Sequence, residues 1–335
     1  MSVDVRMAQV GGLFSEGVEP RAPLTPRERR KRREQLFEET LRDALTRQAR
    51  AVARALRPDR IASLPPNLDF VLRERAIKPA GLPDPARALA LPDGLCGIVA
   101  DTSPDLVMEA FARGLYPKAD CGPLKYWSPA SRSIVRPASM KLTNATRRLL
   151  RGDDLRFGID GDFDETIAAY AHAIKGWRSG GLLSPRALNL LASLADIGCA
   201  HAIDVEDLMG KRVAGAFGVA VGKVFVTLGV YGVDMDHADV ALVVLNRHLR
   251  EKGFLLHDFV GDANVERLGF APMPRTEYLA MLAANPGFER AGRWKVDRKL
   301  CGQASPLSTS ALPPPARDAE PRSDNLEMGR ASMAA

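Results

Sequence analysis

Three apolar runs set nearly end to end, His201–Val205, Arg212–Val221 and Lys223–Val230, constrain this chain more than any other feature. Each is strand-length, and short turn-forming stretches separate them, so they read as adjacent strands joined by tight turns. A helical pattern follows, starting at Asp236 or His237, running through Leu249 and closed by Gly253. Phe254–Phe259 then returns as a further strand. Strands, a crossover helix and a return strand define an α/β (α+β) chain. The Gly218-Val-Ala-Val-Gly222 piece imitates a phosphate loop but lacks the Lys-Ser/Thr that would hold phosphate and magnesium, so a turn between strands is the reading.

The rest of the chain divides by composition. Residues 1–24 have no sustained periodicity, and disorder is expected there. Thr25, Pro26 and Glu28 then announce a helix by N-cap, first-turn proline and capping box. Leu36, Phe37, Leu41, Ala44, Leu45, Val52 and Leu56 give it one apolar face, and Pro58 ends it. The expected organisation is a disordered start and basic helix over 1–57, a Pro-rich linker over 58–90 and a small N-terminal domain over 91–150. A larger domain over 151–298 and a disordered tail over 299–335 complete it. Within these, Ser103-Pro104 opens a helix that stops at Gly114, Asp164–Ile174 is helical, and Ser184-Pro185 starts another helix ended by Gly198.

No apolar run among the 335 residues reaches the roughly 20 needed to cross a bilayer, and the opening segment lacks the apolar core of a secretory signal. Cys96, Cys121, Cys199 and Cys301 are too far apart for a zinc or disulfide frame, so a cytoplasmic protein with reduced thiols and no membrane partner is expected. The net charge is +6, and Arg27–Arg33 packs six basic residues around one glutamate. That run is either a phosphate-contacting surface or a solvated helix face.

Several segments carry a resemblance. Leu91-Pro-Asp-Gly-Leu95, Ala110-Phe-Ala-Arg-Gly-Leu-Tyr-Pro117, Trp127-Ser-Pro129 with Arg132, Gly198-Cys-Ala-His201 and Ala214-Gly-Ala-Phe-Gly-Val-Ala220 come in one order. Arg247-His-Leu249, Gly253-Phe254, Leu268-Gly269 and Pro274-Arg275 continue it. Together, from about Leu91 to Leu282, they resemble the leucyl/phenylalanyl-tRNA–protein transferases. The resemblance implies a GNAT-like acyltransferase domain (the fold of the acyl-CoA N-acyltransferases) behind a small N-terminal domain. It also implies aminoacyl-tRNA as co-substrate with no other cofactor or metal, and acceptor proteins bearing N-terminal Arg or Lys. The reaction tags those acceptors for N-degron breakdown.

In that reaction an α-amine attacks the ester joining an amino acid to the tRNA ribose. The chemistry calls for a neutral amine, donors for the developing oxyanion and a proton for the departing hydroxyl. The family resemblance places a Gly-Glu-Ser-Met-Phe-Ser-Arg segment on Thr227–Val233, so its glutamate falls on Leu228, its serines on Gly229 and Gly232, and its arginine on Val233. The family aspartate falls on Asp258 counted forwards and on His257 counted backwards; the glutamine expected two residues after Asp258 is Val260. These two are the candidate catalytic groups, on opposite faces of one strand. The substrate-facing tryptophans fall on Leu182 and Lys118, and the pocket methionines on Ala216 and Val230. Tyr126 and Trp127 are candidates for stacking on a nucleotide end, and Trp177, near Lys175 and Arg178, is another. His201 reads as a core histidine. Three readings stand: a transferase of this family with a remodelled site; a paralogue binding tRNA or a protein without this transfer; and a GNAT acetyltransferase. The third lacks the pyrophosphate-binding signal between Asp234 and Val240.

Overall fold

A computed structural model of the chain describes residues 25–58, 61–77, 81–119, 123–173, 184–261 and 263–287, with Gly292 and Trp294. The expected tails 1–24 and 299–335, and the site candidates Trp177 and Leu182, lie outside the described residues. The described residues open with three helices, α1 (Pro26–Leu36), α2 (Leu41–Ala55) and α3 (Leu64–Ile77). The Thr25–Glu28 capping box is present at the start of α1. The single long helix expected to end at Pro58 is instead broken between α1 and α2. Thr40 accepts the Asp43 amide at 3.1 Å and so caps a new helix, while Phe37 at the break drops into the core.

A small antiparallel sheet follows, ordered β1-β3-β2 from β1 (Leu95–Ile98), β2 (Tyr116–Ala119) and β3 (Leu124–Trp127), with α4 (Pro104–Ala112) between β1 and β2. Next come β4 (Ser131–Val135), α5 (Asn144–Arg151), β5 (Leu155–Ile159), α6 (Phe163–Ala173) and α7 (Pro185–Asp196). The three apolar runs form β6 (Ala200–Asp207), β7 (Arg212–Val221) and β8 (Val224–Gly232). After them come α8 (Met235–Glu251), β9 (Leu256–Phe259), β10 (Ala271–Pro274) and α9 (Arg275–Ala284). Gly222, at φ +54, makes the tight turn between β7 and β8.

Seven strands make the large sheet, ordered β10-β4-β9-β8-β7-β6-β5. All neighbours are antiparallel except β8 and β9, which α8 must connect by crossing over one face. One buried cluster lies on the α6–α7 side and runs into the small sheet through Leu95, Phe111 and Tyr126. The other lies under α8, where Ile203, Ala216 and Phe225 meet Val240 and Leu245. β4, inside the stretch 91–150, pairs with β9 and β10 and so belongs to the large sheet.

Beyond α9, Trp294 stacks on His201 at 3.6 Å between centroids and donates its backbone N–H to Asp160 at 2.7 Å. Asp160 sits at φ +51, a conformation aspartate tolerates better than most residues. Its carboxylate also takes the Ala202 amide and the His201 ring nitrogen Nδ1, at 2.9 and 2.8 Å. His201 is thus a buried, partnered histidine.

Candidate active site at the split between two parallel strands

β8 and β9 pair only from Val224↔Leu256 to Thr227↔Phe259. One more bond, from the Val260 amide to the Thr227 carbonyl at 3.0 Å, closes the ladder. β8 then continues to Gly232 paired with β7 alone, so its other edge from Leu228 to Gly232 has no strand partner among the described residues. The register slips where Phe217↔Gly229 gives way to Gly218↔Thr227, leaving Leu228 as the extra residue of a bulge. Bulges bend a strand and re-aim its side chains, and they gather beside active sites.

The candidate residues divide between the two faces of this split. Leu228 and Val260 are half-buried against the α6–α7 cluster. Ala216 and Val230 are cross-strand partners on the opposite, α8-facing side. Gly229 and Gly232 are not empty places. A β-carbon on Gly229 would lie 2.6 Å from the Phe217 ring and 2.9 Å from that of Tyr170. One on Gly232 would lie 2.6 Å from both the Ala238 nitrogen and the Asp234 oxygen.

The structure does not present Asp258 or His257 to a cleft. Asp258 is fully buried and ion-paired to Arg132, whose Nε lies 3.1 Å from its Oδ2. The Arg132 guanidinium in turn lies 4.7 Å from the Tyr116 centroid and 4.6 Å from that of Tyr278. His257 is equally buried, with Thr227 Oγ1 2.8 Å from Nε2 and Asn246 Oδ1 3.1 Å from Nδ1. Asn246 donates to the Pro137 carbonyl, which fixes its oxygen toward the ring. Burial holds the His257 imidazole down at about 3, so it is neutral at physiological pH. Both groups tie strands and helix together and are closed to substrate.

Tyr126 and Trp127 are likewise core residues, 3% and 8% exposed, and the Trp127 indole donates to the Lys118 carbonyl at 3.1 Å. Neither ring offers a face for a base. What sequence reasoning missed is a polar cluster beside the open stretch of β8. Tyr231 lies over Gly215 on β7, whose cross-strand partner on β6 is Asp204. Asp204 takes a hydrogen bond from Thr166 at 2.7 Å and an ion pair from Arg212 at 2.9 Å. Burial pushes the Asp204 carboxyl up to about 6 while Arg212 and Thr166 pull the other way. Burial, then the Asp204 charge, raises the Tyr231 phenol, and its buried hydroxyl has no hydrogen-bond partner among the described residues. The only sequence signal was a carboxylate set inside an apolar strand.

The basic run on α1 is largely paired inside the molecule. Arg29 pairs with Asp196 at 2.8 Å, Arg32 with Asp162, and Arg33 with both Asp164 and Asp196 at 2.8 and 2.6 Å. Arg147, Arg148 and Arg151 on α5 are instead exposed, with no carboxylate partner among the described residues.

A mixed sheet with a crossover helix and a bulged, half-paired central strand is the frame on which similar proteins can be compared. The family model described as leucyl/phenylalanyl-tRNA protein transferase matches residues 134–283. A protein named leucyl/phenylalanyl-tRNA–protein transferase from Alkalilimnicola ehrlichii is 30% identical over 221 residues, 65% of this chain and 85% of that one. Its namesake from Burkholderia cenocepacia is 31% identical over 257 residues, 74% of this chain and 96% of that one. The chain belongs to the leucyl/phenylalanyl-tRNA–protein transferase family. Among solved structures, the crystal structure of FemX aligns at TM-score 0.34 and 14% identity over 41% of this chain and 54% of that one, too slight a likeness to bear on the fold.

Proposed function

We propose that this protein is an aminoacyltransferase that moves leucine or phenylalanine from aminoacyl-tRNA to the N-terminus of an acceptor protein, in the cytoplasm. The observation that carries this reading is membership of the family with nearly the whole length of the relatives covered, 85% and 96% in the two cases above. The acceptors would begin with Arg or Lys. In the reaction the α-amine nitrogen bonds to the ester carbonyl carbon, the carbon–oxygen bond to the ribose breaks, and the ribose oxygen takes up a proton as the amine gives one up. Strands β6 to β9 with α8 would form a GNAT-like unit, and the split after Thr227 would take the aminoacyl end. There the unpaired edge of β8 supplies backbone donors for the developing oxyanion. Leu228 and Val260 supply an apolar wall suited to a leucyl or phenylalanyl side chain, and Tyr231, on the open stretch of β8, carries a buried hydroxyl with no hydrogen-bond partner among the described residues. The exposed arginines of α5 would meet RNA phosphates.

A second reading, a member of the family that binds without this transfer, is favoured by one observation. Leu228 stands where the resemblance implies a glutamate and is packed into the α6–α7 core. A transfer assay with labelled leucyl- and phenylalanyl-tRNA and a peptide beginning with Arg, paired with a gel shift on the same tRNAs, separates the two. Labelled peptide supports the transferase. A shifted tRNA with no labelled peptide overturns it in favour of the second reading.

A further inference from the structure

α2 is amphipathic, yet it faces the wrong way for a helix that only serves its own fold. Its alanine side goes inward, with Ala51 buried and Ala44 and Ala55 partly so. Its larger apolar side chains stand in solvent: Leu41, Leu45, Val52 and Leu56 are 86, 71, 50 and 54% exposed. At about 100° per residue Leu41, Leu45 and Val52 fall within roughly 40° of arc and form one stripe along the helix, and Leu56 follows directly after its last turn. Leu68 and Leu72, a turn apart on α3, are exposed as well. Among the described residues, seven of the thirteen exposed large apolar side chains lie between positions 41 and 72. A concentration of this kind on a soluble surface marks a docking face.

Charge selects the occupant. Arg42 and Arg57 are exposed at the two ends of the stripe, and Asp43 is the lone acidic residue of the helix. A second copy of the chain would bring arginines against arginines. An RNA would satisfy the arginines and leave the leucines in water. An anionic lipid surface answers both features, since the leucines enter the acyl boundary while the arginines stay at the headgroups. No helix among the described residues is long and apolar enough to cross a membrane, so the contact would lie in the interface plane. From the sequence no membrane partner is expected, and the exposed stripe on α2 runs against that expectation.

We propose that the exposed face of α2 docks this protein on anionic lipid bilayers through Leu41, Leu45, Val52 and Leu56, with Arg42 and Arg57 at the headgroups. The proposal is independent of the transfer reaction. The full chain is sedimented with vesicles of phosphatidylcholine alone and of phosphatidylcholine with phosphatidylglycerol. Wild type should pellet with the mixed vesicles, and about tenfold or more weakly with phosphatidylcholine alone, because each cation near an anionic surface adds attraction. Leu45→Glu with Val52→Glu should abolish pelleting with both, and Arg42→Gln with Arg57→Gln should remove the preference for anionic lipid. The four positions are exposed, so unchanged thermal unfolding of the variants keeps the comparison sound. Wild type remaining in the supernatant with mixed vesicles overturns the proposal, as does pelleting that the glutamate pair leaves intact. A lipid-free dimer that the glutamate pair converts to monomer also overturns it, because the stripe is then covered by a second copy.

Discussion

Arg132 on β4 and Asp258 on β9 meet as a buried ion pair one diagonal step apart, with the guanidinium held between the rings of Tyr116 and Tyr278. The pair therefore joins the small sheet, two strands of the large sheet and α9 at one point. Two buried charges hold a fold together only as long as each has the other. Losing one strands its partner in an apolar setting.

Asp258→Asn and Arg132→Met should each cost about 3–5 kcal/mol of folding stability. Replacing both, as Arg132→Met with Asp258→Leu, should recover most of that loss. Urea unfolding of the three variants measures it. A double variant as unstable as the sum of the singles would show that the charges contribute more than mutual satisfaction.

The buried His257 predicts an acid limb. Its folded imidazole protonates only near 3, whereas the unfolded ring protonates near 6.5. Between those values the unfolded chain binds the extra proton, so this site lowers stability as pH falls below 6.5, by about 1.4 kcal/mol per pH unit. Asp204 acts in the opposite sense: its raised carboxyl adds stability that is complete below the ordinary 3.8 and lost as pH rises through about 6. Urea midpoints at pH 7 and pH 5 should drop less in His257→Gln than in wild type. Equal drops would remove His257 as the source.

RNA binding should follow α5 rather than α1. Arg147→Glu with Arg148→Glu should weaken the tRNA gel shift and lower its salt slope by about one for each phosphate no longer neutralised. Arg33→Ala should leave that slope alone and instead lower stability by about 1–3 kcal/mol, since it breaks charge-assisted bonds to Asp164 and Asp196. A salt slope that falls with Arg33 would return the basic helix to the RNA.

Gly229 and Gly232 on β8 should tolerate a side chain unequally. Gly232→Ser should destabilise the fold by about 1–3 kcal/mol, because the added carbon meets main chain at the start of α8 and not a movable side chain. Gly229→Ser presses on the Phe217 and Tyr170 rings, which can turn, and should cost less. Thermal unfolding of the two variants ranks them. The reverse order would mean that the α8 start yields more readily than the aromatic rings.

Strand runs, crossover helix and caps were legible in the sequence because each depends on residues close in the chain. Thr25 with Glu28 is such a case; of the Gly218–Gly222 piece read as a turn, only Gly222 turns the chain, while Gly218–Val221 run on as the end of β7. The break at Phe37 was not, since the apolar spacing continues through it and only the burial of Phe37 reveals the bend. The site was least legible. Asp258 and His257 look like free chemical groups along the chain, and only the partners Arg132, Thr227 and Asn246, distant in sequence, account for them. Tyr231 and Asp204 went unseen for the same reason, as their meeting depends on two strand registers.

The stacking of Trp294 on His201 reaches past the last helix to a practical end. A shortened chain that stops after α9 would keep every helix and strand named above, yet would strip Asp160 of one of the three donors it has among the described residues and bare the His201 ring. Counting secondary structure would place the fold's edge near residue 284; the tryptophan moves it at least ten residues further.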